Sequence, residues 1–130
     1  MKFLFILLVL PFANVSAQSV AAQQYDTVYT RPEVLASYPG GDAAWKKYIK
    51  KKMNYPRKAW WEEVESDVQV KLIIEKDGTV SEAHHLNISN YGFEQEAVRL
   101  VLKSGKWKPA IQHGKPVKSE GLLTINFRLR

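Results

Sequence analysis

The sequence has no cysteine. No disulfide framework can hold its fold, no thiol is available for nucleophilic chemistry, and no cysteine follows the leader for lipid attachment. It also lacks any apolar run after the N-terminus long enough to cross a bilayer. There is no Gly-x-Ser-x-Gly elbow, no phosphate-binding glycine loop and no metal-ligand spacing. Histidine is scarce, with three in the chain. His84 and His85 are neighbours on an expected strand, so they point to opposite faces and cannot chelate one ion together. His113 stands alone in an expected turn. The acidic group Glu62, Glu63 and Glu65 lies beside Arg57 and Lys58 and reads as a surface charge pattern. The expectation is a protein that is not an enzyme, with no metal and no cofactor.

What is present begins with a leader. "MKFLFILLVLPFANVSAQ" has a basic Lys2, an apolar run through Ala13 and a small-x-small ending at Val15-Ser16-Ala17. That is the layout of a cleaved secretory signal. As helix, Phe3 to Ala13 spans about 16 Å, against the roughly 30 Å of a bilayer core. The expected organisation is a signal over residues 1–17, an N-terminal extension over 18–37 and one domain over 38–130. A disulfide-free exported domain relies on its core, and four tryptophans can supply much of it. The formal net charge of +6 disfavours basic partners and suits anionic envelope surfaces or acidic peptides. An exported chain rarely meets nucleic acid, and none is expected as a partner.

Periodicity gives the elements. "YDTVYT" (Tyr25–Thr30) alternates and could lie on the domain as a short strand. "YPGGD" is a turn and helix start, with Gly41 or Asp42 as the expected N-cap. Trp45, Tyr48, Ile49 and Met53 then form one apolar helical stripe, which stops before Pro56. "PRKAWWEEVE" reads as a short second helix or turn, and at least one of Trp60 and Trp61 is expected in the core. Val68, Val70, Leu72 and Ile74 alternate with Gln69, Lys71, Ile73 and Glu75 up to Asp77-Gly78, a hairpin signal. A weaker return strand follows over Thr79 to Ile88, in which His85 is placed towards the core. Phe93, Ala97, Leu100 and Val101 give another helical stripe, closed by Gly105. Last, Leu123, Ile125, Phe127 and Leu129 alternate with Leu122, Thr124, Asn126 and Arg128. The expected fold is α+β: a three-stranded antiparallel sheet, order 2-1-3, with two helices packed on one face. In that order the C-terminal strand is an edge.

Five stretches in order, "YPGGDAAWKKYIKKKMNYP", "VQVKLIIEKDGTVSEA", "FEQEAVRLVLKSGKWKPA", "HGKPV" and "LTINFRL", resemble the TonB C-terminal domain family over roughly Tyr38 to Leu129. In that family the Trp-x-Pro-Ala segment leaves a helix, a glycine turn reverses it, and the last strand completes the sheet. Trp107 would then cap the core and Pro109 would keep its segment extended. Relatives often carry two glycines where this chain has Glu63 and Ser66, so a φ > 0 at either position would be strained here. The resemblance implies a periplasmic module that pairs an edge strand with the TonB box of an outer-membrane transporter or with another envelope protein. Unlike full TonB, the chain shows no transmembrane helix and no proline-rich spacer, which implies an accessory or competing module without its own energy input.

The expected partner-binding residues are Leu122, Leu123, Thr124, Ile125, Asn126, Phe127 and Arg128, with Tyr55 and Pro56 nearby by family resemblance. The alternation shows which side chains face the helices but leaves open which N–H groups face outward. A second reading is a structural envelope protein that homodimerises through the same edge. In its other form, that reading docks on anionic surfaces through Lys46, Lys47, Lys50, Lys51 and Lys52. The bland account of those lysines is a solvated helix face whose last members suit the helix C-terminus.

Overall fold

The computed structural model describes residues 27–130. The leader and the start of the extension lie outside the described residues. The elements run α1 (Gly41–Lys52), α2 (Arg57–Trp61), β1 (Ser66–Ile74), β2 (Val80–His85), α3 (Phe93–Leu102), β3 (Ala110–Gln112), β4 (Lys115–Val117) and β5 (Ser119–Phe127). An antiparallel sheet of order β2-β1-β5 forms the centre, the expected α+β arrangement. Among the described residues no helix is long and apolar enough to cross a membrane.

The period-2 pattern of β1 explains the layering. Val68, Val70, Leu72 and Ile74 are buried on the helix side, where they meet Phe93, Ala97, Leu100 and Val101 of α3 and Ile125 and Phe127 of β5. Asp67 and Gln69, on the other face, are exposed. Helix α3 supplies the densely packed layer. Helix α1 contributes no fully buried residue; its stripe Trp45, Tyr48, Ile49 and Met53 is half-buried against the core. It is held by specific contacts instead. The Tyr48 hydroxyl donates to the Leu100 carbonyl at 2.7 Å, and Arg99 Nη2 donates to the Lys52 carbonyl at 2.9 Å. Tyr38, Trp45 and Trp107 stack with ring centroids 5.1–5.5 Å apart.

Trp107 closes the core where α3 ends, as its position in the sequence suggests. It is 8% exposed, its indole N–H donates to Ser104 Oγ at 2.9 Å, and Ser104 in turn donates to the Val101 carbonyl. Its backbone N–H donates to the Gly78 carbonyl at 2.8 Å, which joins the β1–β2 turn to the α3 exit. Gly78 has φ +89°, and a Cβ there would lie 2.0 Å from the Trp107 carbonyl oxygen. Only glycine fits that junction.

Three features differ from the sequence reading. The stretch after Pro109 forms a separate two-stranded ribbon, β3–β4, turning at His113 and Gly114, both with positive φ as a two-residue hairpin of this twist requires. Trp60 and Trp61 are both outside, 53% and 71% exposed; a five-residue helix turns only Ala59 fully inward. His85 pairs with Val70 on the helix side of the sheet yet remains exposed, because it lies on edge strand β2 near the strand's end. His84 pairs with Lys71 on the opposite face. Of the two positions singled out in the sequence as needing φ > 0, Glu63 has φ +54°, whereas Ser66 is ordinary strand.

Candidate functional site: the β5 edge and its groove

The direction of each β5 peptide group follows from β1. Gln69 turns its backbone towards β2: its N–H donates to Asn87 Oδ1, and its carbonyl accepts from the Leu86 N–H, both at 2.8 Å. The alternate residues Val68, Val70 and Leu72 therefore turn theirs towards β5, where their partners are Ile125, Leu123 and Gly121. Leu122, Thr124 and Asn126 are left with N–H and C=O directed away from the sheet. A second observation gives the same parity. Tyr29 crosses the upstream end of this edge, donating to the Lys118 carbonyl at 2.9 Å and accepting from the Glu120 N–H at 3.0 Å. The extension thus occupies the edge as far as Glu120 and then turns away along β3, where Val34 bridges Ile111 and Ser37 bridges Lys108.

Beside the open part of the edge runs a groove of about 540 Å³ between α1 and β5. Trp45, Ile49, Met53, Tyr55 and Ile125 give it an apolar floor, and Lys46, Lys50, Arg128 and Arg130 surround it with positive charge. The α1 lysines are divided: Lys46 and Lys50 line the groove, while Lys47, Lys51 and Lys52 are exposed outside it. A smaller recess of about 420 Å³ is lined partly by Thr30, Leu35 and Ala36 of the extension.

The expected site residues sort accordingly. Leu122, Thr124 and Asn126 present the unpaired backbone, with side chains exposed on the sheet's open face. Leu123, Ile125 and Phe127 pair with β1, and their side chains pack on the helix side. Arg128 lies just past the strand, paired with Asp67 at 2.7 Å and Glu65 at 3.5 Å. Tyr55 lines the groove, but its hydroxyl is fixed to the Val64 carbonyl and its ring packs on Phe93 and Phe127. Burial, followed by the charge of Glu65, raises its pKa above the ordinary tyrosine value. Pro56 does not line the groove; it caps α2, its carbonyl accepting the Trp60 N–H at 2.9 Å. Asp67 anchors the strand end by accepting from Asn126 Nδ2 at 2.7 Å. That bond, with Arg128, holds its carboxyl below the usual carboxylate range. In the sequence Trp45, Ile49 and Met53 read only as a helical stripe and Lys46 and Lys50 only as part of one lysine face, because only the fold brings them beside β5.

The arrangement offers an open strand edge with an adjoining side-chain groove, which is the equipment for binding an extended peptide. A family model, described as the Gram-negative bacterial TonB protein C-terminal, matches residues 51–129. The chain belongs to that family. No curated protein matches it. The TonB C-terminal match begins in the last turn of α1, later than the Tyr38 start suggested by the sequence motifs, and covers all of β5. TonB C-terminal domains are periplasmic, non-enzymatic interaction domains that contact outer-membrane transporters. Membership links this chain to TonB-related transport and to protein interaction.

Proposed function

We propose that the chain is an exported, periplasmic TonB C-terminal-type module. In this reading it adds an extended segment of a TonB-dependent outer-membrane transporter, or of another envelope protein, as a strand on the Leu122–Asn126 edge. The observation that carries the reading is the set of outward N–H and C=O groups at Leu122, Thr124 and Asn126, next to a groove able to take side chains. Export rests on the leader, and mass spectrometry of the native protein should find a mature N-terminus at Gln18. An intact Met1 on a membrane-integral product would refute that step.

A proline scan tests the edge. Proline removes one N–H donor, and its effect depends on where that donor points. Leu123→Pro and Ile125→Pro should unfold the domain by circular dichroism. Thr124→Pro should stay folded and lose binding to a synthetic transporter-box peptide in calorimetry. Full binding by a folded Thr124→Pro variant would sink the proposal. Strand addition here forms about five bonds, each contributing roughly 0.5–1.5 kcal/mol. Ordering the peptide opposes this by about 2–5 kcal/mol, so the expected affinity is micromolar or weaker. The same outward groups could serve a homodimer. Size-exclusion mass at low and high salt separates the two, since an edge-paired dimer survives salt and lysine-driven association fades.

A further inference from the structure

The edge-pairing reading leaves one surface unused, the exposed pair Trp60 and Trp61. Their rings meet edge to face, with centroids 4.9 Å apart and planes at 84°. They line a recess of about 570 Å³ with Glu63, Glu65, Leu129 and Arg130. Arg130 also lines the α1–β5 groove, so the two recesses adjoin through one side chain. The upstream end of the edge is occupied by Tyr29. A bound segment can therefore continue only past Asn126, towards Arg130 and the tryptophans.

The charges on the two recesses differ. The groove is lined by Lys46, Lys50, Arg128 and Arg130 and by no acidic side chain. Arg128 is already paired with Glu65 and Asp67, but Lys46, Lys50 and Arg130 form no ion pair among the described residues. The tryptophan recess, by contrast, carries Glu63 and Glu65, which disfavour a carboxylate there. Two indoles this exposed on a small domain offer apolar area that is not covered within the described chain.

We propose that the partner segment reaches beyond the strand it adds. It is acidic where it crosses the α1–β5 groove, and beyond the paired stretch it carries a large apolar or aromatic side chain that seats on Trp60 and Trp61. This deepens the edge-pairing reading and rests on it.

The test uses synthetic twelve-residue peptides with a Val/Thr alternating core, two glutamates beside the core and one terminal phenylalanine. The phenylalanine is placed at either end in separate peptides, since an added strand can run in either direction. Companion peptides replace the glutamates by glutamine, or the phenylalanine by serine. Affinity is read by calorimetry and by intrinsic tryptophan emission at low and high salt. The glutamate peptide should bind about tenfold more tightly than the glutamine one at low salt, with the gap closing as salt rises. The phenylalanine-to-serine loss should persist at high salt. Lys46→Gln with Lys50→Gln should remove the glutamate preference and leave the phenylalanine preference. Trp60→Ser with Trp61→Ser should do the reverse; both positions are exposed, so the fold should survive. Equal binding of glutamate and glutamine peptides, or an unchanged phenylalanine preference in the double serine variant, overturns the proposal. Thr124→Pro separates the two levels: loss of all binding keeps the edge reading whichever way the peptides rank. Full binding there removes both.

Discussion

Replacing Gly78 by alanine should destabilise the domain severely, and the magnitude can be built from the structure. The residue sits at φ +89°, where an L side chain costs about 1–2 kcal/mol. The added Cβ would stand 2.0 Å from the Trp107 carbonyl oxygen, a backbone atom that no rotamer change can move aside. Relief requires the turn and the α3 exit to separate. That breaks the 2.8 Å bond from the Trp107 N–H to the Gly78 carbonyl, about 0.5–1.5 kcal/mol net, and loosens the packing of the indole beneath. Reduced freedom of the unfolded alanine chain offsets about 0.4–1 kcal/mol. These terms net to about 0.5–3 kcal/mol, to which the loosened packing adds, a fall in Tm of several degrees or more for a domain of this size. Thermal and urea melts followed by circular dichroism measure it. Gly114→Ala is the matched control, with φ +72° and nothing within 4 Å of its added Cβ. It should show the conformational cost alone. If the two variants melt together, the close junction between Gly78 and Trp107 is not what the fold depends on.

Glu63→Gly should raise stability by about 0.5–1 kcal/mol, because relief of the strained backbone at φ +54° exceeds glycine's extra unfolded-state freedom; an unchanged or lower urea midpoint contradicts this. Glu94→Gln should lower stability at neutral pH by about 1 kcal/mol. The Glu94 carboxylate accepts from the Ser89 hydroxyl at 2.8 Å and from its N–H at 3.2 Å. Burial pushes this carboxyl up, but its own backbone N–H, Ser89 and the nearby His85 outweigh burial and hold it below the ordinary value. Its stabilisation is therefore present above the unfolded carboxylate pKa and is lost as pH falls through the lower folded value. Melts of the two proteins should converge on acidification, and a constant gap down to low pH would rule out the charge as the cause.

The parts legible in the sequence are those with long repeats. The alternation from Asp67 to Leu72 in β1 and the Phe93–Val101 stripe each repeat a pattern often enough to fix an element, and the Asp77-Gly78 turn marks the hairpin between strands. The three-residue strands β3 and β4 are too short to show a period, and Pro116 disguises the second as loop. Trp60 and Trp61 mislead for a different reason: their hydrophobicity suggests the core, but one short turn presents only Ala59 inward. The open edge was readable as an element and not as chemistry, because only the pairing of β5 with β1 decides where each N–H points. The lysine face was visible but not its groove, since Lys46 and Arg130 are far apart in sequence and meet only around the folded edge.

Tyr29 has a consequence for what the molecule must avoid. A long flat strand at a sheet margin is a template on which further copies can stack without limit. By closing the margin at Lys118 and Glu120, the extension leaves only Leu122, Thr124 and Asn126 open. The ion-paired Arg128 stands at the far end of that opening. On the proposed reading, a window this short would hold a passing peptide for a limited time, and it gives a growing fibril too few rungs to take hold. The uncompensated lysines beside it add repulsion between identical chains carrying net charge +6. On that reading, transient capture and protection of the β5 margin rest on the same tyrosine.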